Sequence, residues 1–182
     1  GNGYTQEDIT ETSRALTGYN KSTSSGPITF NENTFDKEEK TIFGKKGNWS
    51  YQDVIDILFD EKTSLIAQFI CTKFYKYFVS PQVNESIVSI MVATFIDNQF
   101  ELKPVFFQLF KSEHFYDMMN SNVLIKSPVD LMLGLHNSLN FQCPESLDLE
   151  VNLRNKCRDM GQDIFSPIDV AGWQGNHDWI NS

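Results

Sequence analysis

From Ser50 onward, apolar residues recur at steps of three and four, the spacing that lines one face of a helix. Ser50 and Asp53 read as a helix start, and Val54, Ile55, Leu58 and Phe59 form the first stripe. A second helix is predicted from near Thr63, carrying Leu65, Ile66, Phe69, Ile70, Phe74, Tyr77 and Phe78 inward and closed by Pro81. Asn84 is placed to cap a third, with Ile87, Ile90, Met91 and Phe95 inward. Pro104 suits a first-turn position, where a missing N–H costs nothing, and Val105, Phe106, Leu109 and Phe110 follow it. Ser127 and Pro128 repeat that cap-and-proline start, with Leu131, Met132 and Leu135 as the buried side. A last helix is predicted from Ser146 to Met160, with Leu149, Leu153 and Cys157 facing in.

Before Ser50 the pattern differs. Thr5 with Gln6, Glu7 and Asp8 makes a capping box, Ile9, Ala15 and Leu16 share a helical face, and Gly18 is a natural stop. Arg14 falls on the side of that helix that supplies Ala15 and Leu16. A half-buried guanidinium there needs a carboxylate partner from a distant segment. Residues 20–34 turn polar, around Ser22, Ser24, Ser25, Gly26 and Pro27. Ile28 and Phe30 alternate with polar neighbours, and Thr41, Ile42 and Phe43 precede Gly44, so two short strands in one hairpin are predicted. The sum is a mainly α chain, all-α or nearly so: one multi-helical domain over 1–182, with a small β-hairpin insertion (19–49) and an irregular tail (161–182) that contains Trp173 and Trp179. Neither an internal repeat nor a low-complexity segment is present.

Composition fills in the class. With 182 residues, 40% hydrophobic and 21% charged, the chain can bury a core without disulfide or metal. Fifteen Phe imply an aromatic-rich interior. The net charge of −9, with basic residues spread thinly, excludes nucleic acid and anionic membrane surfaces as natural partners. No run of apolar residues is long enough to span a bilayer. Cys71, Cys143 and Cys157 match no zinc spacing. A Cys143–Cys157 disulfide is open on spacing, and Cys71 sits in an apolar helical run that suits an inert buried thiol.

Chemistry is sparse. The tail gathers Asp169, Trp173, His177, Asp178 and Trp179, which together could form a sugar platform: indoles stack on the apolar faces of pyranose rings while carboxylates accept hydroxyl protons. The competing reading makes both indoles pegs that pin an irregular tail. His114, Glu113, His136, His177 and Asp178 are the metal-capable groups of the helical region, but none has ligand spacing, so no metal site is assigned. Asn31, Asn33, Asp36, Glu38 and Glu39 offer oxygens at short spacing without the glycine and distal Glu of a calcium loop, and read as an exposed acidic hairpin. Lys126 beside Ser127 would suggest a base and nucleophile, but Ser127 is accounted for as a helix cap. Phosphate loop, nucleophile elbow and dinucleotide fingerprint are all missing, so the cofactor is unknown.

One resemblance covers nearly the whole chain. Tyr4-Thr5-Gln6-Glu7-Asp8 through Arg14-Ala15-Leu16-Thr17-Gly18-Tyr19 comes first, then Lys40-Thr41-Ile42-Phe43-Gly44 with Asp53-Val54-Ile55-Asp56. Ser112-Glu113-His114-Phe115 and Lys126-Ser127-Pro128-Val129 follow. The set closes with Met160-Gly161-Gln162, Phe165, Pro167, Val170, Gly172-Trp173, Gly175 and Trp179. In this order the motifs resemble the C-terminal part of a bacterial family known as domain of unknown function 1800. Two positions depart from its pattern: Phe35 precedes Asp36 where the family often has His, and Ser166 replaces the first of two prolines. The resemblance implies a helical fold, export to the periplasm or cell envelope, and contacts with an N-terminal half of a larger protein, of which this chain would be an excised part. It implies no reaction.

Two function classes follow. One is a non-catalytic binding module of the cell envelope, for an exported partner protein or a glycan. The alternative is the C-terminal half of a metal-dependent or hydrolytic enzyme whose main catalytic residues lie in the other half. A cleft lined by Trp173, His177, Asp178 and Asp169 would favour the second; two buried indoles with His177 in solvent would count against both glycan stacking and catalysis.

Overall fold

A computed structural model describes residues 3–21, 26–139, 148–170, 172–173 and 175–180. It is mainly α, with six α-helices and two small antiparallel two-stranded sheets among those residues. The chain divides into two compact units, Gly1–Thr72 with Glu85–Phe106, and Lys73–Asn84 with Phe107–Ser182.

The first unit opens with α1 (Gln6–Ala15), started by the predicted capping box: Thr5 Oγ1 accepts from the Asp8 N–H at 3.1 Å, and Asp8 Oδ2 accepts from the Thr5 N–H at 2.7 Å. After Gly18, strands β1 (Tyr19–Lys21) and β2 (Ile28–Phe30) pair antiparallel, as do β3 (Lys40–Ile42) and β4 (Lys45–Gly47). Ile28–Phe30 and Thr41–Ile42 are strands, as the alternation predicts, but not partners of each other. Each belongs to its own hairpin, because three-residue strands with close neighbours in sequence pair locally at least entropy cost. The β3–β4 loop is Phe43–Gly44, with φ of 49° and 81°. A two-residue hairpin turn of type I′ needs positive φ at both central positions. Phe43 is held there: its N–H donates to Asp8 Oδ1 at 2.8 Å, and the Lys62 ammonium lies 4.6 Å from its ring centroid. Ala15, Ile42, Val54 and Ile57 form the core of this region, with Phe43, Trp49 and Leu58 packed against it.

Helix α2 (Tyr51–Phe78) is continuous in hydrogen bonding but broken in dihedral angle at Lys62 (φ −123°, ψ 16°), next to the predicted boundary at Thr63. Its apolar residues are spread around the axis and not gathered on one face, so periodicity does not phase it. Val54, Ile57, Ala67, Cys71 and Tyr75 are its buried residues, whereas Leu65, Phe69 and Tyr77, predicted inward, are exposed. In α3 (Glu85–Asp97) the buried side is Val88, Met91 and Phe95, with Ile90 exposed. Phe100 bridges Phe59 and Phe95 edge-on, at 4.9 and 5.0 Å between ring centroids. Helix α4 (Leu102–Lys111) buries Val105 and Leu109.

In the second unit, two short 3-10 turns precede α5 (Pro128–Leu139), which packs against α6 (Leu149–Asp159). Ser127 caps α5, its Oγ accepting from the Asp130 N–H at 3.2 Å and donating to Asp130 Oδ2 at 2.8 Å. Leu131 and Leu135 are exposed, against prediction, and Pro128 is the buried residue of α5. Along α6, Cys157 is buried and Leu149 and Leu153 are half-buried. Cys71 and Cys157 carry free thiols; Cys143, the serine run of residues 22–25 and the predicted start of α6 at Ser146 lie outside the described residues.

Candidate functional site

The tail is steered back over the second unit by a helix-ending turn and two backbone-to-side-chain links. Helix α6 ends in a Schellman motif, with Gly161 at φ +91° and the Gln162 N–H donating to the Cys157 carbonyl at 2.8 Å. Gln162 Oε1 then accepts from the Val129 N–H at 2.9 Å, satisfying an otherwise unbonded donor in the first turn of α5. Asn176, itself at φ +56°, accepts from the Ile125 N–H at 3.1 Å and anchors a final 3-10 turn, Asn176–Trp179. These links bring the tail over the last turns of α2.

Between them runs a furrow of two adjoining hollows, of about 780 and 880 Å³. Both share Lys76, Tyr77, Trp173, Gly175 and Asn176. Lys73, Phe74, Phe78, Pro81, His177 and Asp178 complete the first; Lys126, Asp130, Gln162, Ile164 and Trp179 are among those that complete the second. Tyr77 is 69% exposed. Trp173 and Trp179 are half-buried, and His177 and Asp178 are exposed. The Trp173 indole nitrogen is buried without a hydrogen-bond partner. Of the five predicted tail residues, four line the furrow; Asp169 lines neither hollow and lies exposed. The indoles thus peg the tail and also present part of their surface.

The other candidates are taken up by structure. His114 Nε2 and the Tyr75 hydroxyl are hydrogen-bonded at 2.8 Å, and burial pushes the Tyr75 phenol up. Among the described residues, no three of His, Cys, Asp and Glu stand together as a metal-holding group. In the acidic loop, Asn31 Oδ1 accepts from the Asn33 N–H at 3.0 Å and Glu39 pairs with Lys46 at 2.6 Å. Asp36 is held by Arg14, the distant carboxylate that the sequence required, and the guanidinium keeps the Asp36 carboxyl below its ordinary range. Lys40 is fully buried, its ammonium donating to the Asp36 carbonyl at 2.5 Å, the Glu38 carbonyl at 2.9 Å and Asn48 Oδ1 at 3.2 Å. A further hollow of about 690 Å³ lies between Tyr4 and Phe43 in the first unit, where Asp8 is committed to the α1 cap and the hairpin turn.

The family model described as "Protein of unknown function (DUF1800)" matches residues 1–182. The chain belongs to the DUF1800 family. No curated protein and no solved structure matches it. Membership assigns no function and leaves that of the furrow to its geometry. Among the described residues no helix is long and apolar enough to cross a membrane.

Tyr77, Lys76 and Asn176 are site residues that sequence reasoning missed. The available signal was local: Lys73, Lys76 and Tyr77 break the apolar run of α2 in its last two turns, just before Pro81.

Proposed function

We propose that this DUF1800 chain is a non-catalytic binding module of the bacterial cell envelope that takes a glycan along the furrow of its second unit. The observation that carries the reading is Tyr77 and Trp173 on the wall common to both hollows, next to Asn176. Aromatic faces offer stacking area at low entropy cost, and amide, imidazole and carboxylate groups match sugar hydroxyls as donors and acceptors. Export to the envelope comes from the family resemblance.

A thermal-shift screen against neutral and acidic oligosaccharides tests the reading. A ligand that binds only the folded chain raises stability by about 2.7 kcal/mol at a concentration of 100 times its Kd. The expected result is a dose-dependent rise with at least one oligosaccharide that Tyr77→Ala removes without lowering the melting temperature of the free chain. A rise untouched by Tyr77→Ala would place the glycan elsewhere and sink the furrow reading.

A second reading, an enzyme completed by residues outside this chain, draws on His177 and Asp178 in the same hollow. The readings separate on product: a binding module returns the oligosaccharide intact, and chromatography of the incubated ligand decides.

A further inference from the structure

We infer that the ligand of the furrow is an anionic saccharide, one whose rings carry uronate or sulfate groups. The inference rests on the glycan reading above and adds the charge of the sugar.

The chain as a whole is acidic, with 24 Asp and Glu against 15 Lys and Arg. The furrow reverses that balance. Lys73, Lys76 and Lys126 line it, against Asp130 and Asp178. Asp130 is already engaged, accepting from the Ser127 hydroxyl at 2.8 Å while Ser127 caps the helix. Three other lysines pair with carboxylates, Lys37 with Glu32, Lys45 with Glu61 and Lys46 with Glu39, while Lys62 and Lys111 lie singly over phenyl rings. Neither Lys76 nor Lys126 makes an ion pair among the described residues. In a chain with this excess of carboxylates, three lysines gathered in one furrow make a local positive patch that draws an anion.

The indole of Trp173 is the second, independent observation. Its N–H is buried, lacks any acceptor, and belongs to a residue that lines both hollows. A buried donor without a partner is costly, and native structures rarely leave one so without a water, an ion or a ligand to complete it. The indole is a donor only, so what completes it must be an acceptor. An acid oxygen of a ring stacked on Tyr77 meets the two ammonium groups by charge, and reaches the covered indole N–H by a turn of the Trp173 ring. Lys76 is common to both hollows, so a chain of sugars passing along the furrow meets it in either.

The test is titration calorimetry of the whole chain with four probes at low salt: an oligogalacturonate, its fully methyl-esterified form, a sulfated oligosaccharide, and polyglutamate. The expected result is binding of the oligogalacturonate, the sulfated sugar or both, weakening as salt screens the lysines. Comparing these two separates uronate from sulfate. Lys76→Gln with Lys126→Gln is expected to cost about tenfold or more in Kd, since each charge-assisted hydrogen bond is worth at least about that. Both lysines are exposed, so the fold is kept, and circular dichroism checks it. Trp173→Phe keeps the ring and removes the N–H, and should weaken the acidic sugar more than any neutral one. Equal affinity for the methyl ester would overturn the anionic inference and leave the glycan reading standing. Equal affinity for polyglutamate would show a general polyanion site and overturn the saccharide. Binding of no saccharide, charged or neutral, would overturn both.

Discussion

Arg14 and Asp36, 22 residues apart, meet side-on: Nε donates to Oδ2 at 2.7 Å and Nη2 to Oδ1 at 3.3 Å. The same guanidinium reaches Glu11 at 3.0 Å and the Glu39 carbonyl at 3.3 Å, so one side chain ties α1 to the loop before β3. Asp36 is fixed from its other side, its own N–H donating to Thr17 Oγ1 at 2.8 Å. A lysine ammonium is a point charge and cannot reproduce this fork. Arg14→Lys should therefore lower the urea midpoint nearly as far as Arg14→Gln does, with Asp36→Asn restoring part of the loss in the Gln background by removing an unpaired charge. An Arg14→Lys protein as stable as the parent would refute the bidentate account.

Five carboxylates of the first unit titrate low. The Thr5 N–H does this for Asp8, the Thr41 N–H for Glu11, the Lys37 ammonium for Glu32, the Arg14 guanidinium for Asp36 and the Ser50 hydroxyl for Asp53. A folded pKa below the unfolded one adds stability above the unfolded value and withdraws it as pH falls through the folded one. The ordinary values are 3.8 for Asp and 4.5 for Glu. Denaturant midpoints should be level from neutrality to about pH 5 and fall steeply below about pH 4.5, where the unfolded chain takes up protons first. A midpoint that held steady to pH 3 would contradict these shifts.

Two glycines at positive φ should answer differently to alanine. Gly18 sits at φ +88°, and a Cβ there would stand 2.7 Å from Phe30 Cε2, 3.1 Å from Phe35 Cβ and 3.2 Å from the Asn31 carbonyl, which follows an N–H already bonded to Gly18. Gly44, at φ +81°, has nothing within 4 Å of the same position. Gly44→Ala should cost about 1 kcal/mol for the left-handed backbone alone. Gly18→Ala should cost at least about twice that, because strain and overpacking add. Matching losses in chemical denaturation would show that the contacts at Gly18 yield freely.

Cys71 and Cys157 are buried thiols whose ionisation burial opposes, that of Cys71 pushed up to about 11. At pH 8 only about one Cys71 in a thousand would be thiolate, and thiolate is the reactive form. Iodoacetamide followed by peptide mass mapping should label both residues in urea and neither in the native chain within an hour. Fast native labelling of Cys71 would mean that its helix opens readily.

Much of the helical architecture is legible in the sequence because caps and prolines are local chemistry. Thr5 with Asp8, Ser127 with Pro128, and the boundary near Thr63 all need only neighbours a few residues away. Helix phase is less legible. In α2 and α3 apolar residues occur on every side, so which side is buried depends on packing, and Tyr77 and Ile90 are exposed where a stripe would bury them. Strand pairing fails for a related reason: β4 is Lys45-Lys46-Gly47, with no apolar alternation, and forms because the Phe43–Gly44 turn is held by Asp8 from another element. The need of Arg14 for a carboxylate could be read from burial alone, but its choice of Asp36 depends on loop geometry. The tail cluster is legible as composition; its far wall, Lys76 and Tyr77, lies a hundred positions away by sequence and close only in the fold.

The ammonium of Lys40 sits among two carbonyls and an amide oxygen, with the Phe35 ring 4.9 Å away, and none of its surface reaches solvent. That makes it a clock for the hairpins. An amine-acylating reagent can reach it only when residues 36–48 part from one another, so its labelling rate counts local openings rather than collisions. Lys46, on the neighbouring strand and 67% exposed, should acylate at once. The ratio of the two rates, followed by mass spectrometry through a denaturant series, yields the opening free energy of this corner separately from the unfolding of the whole.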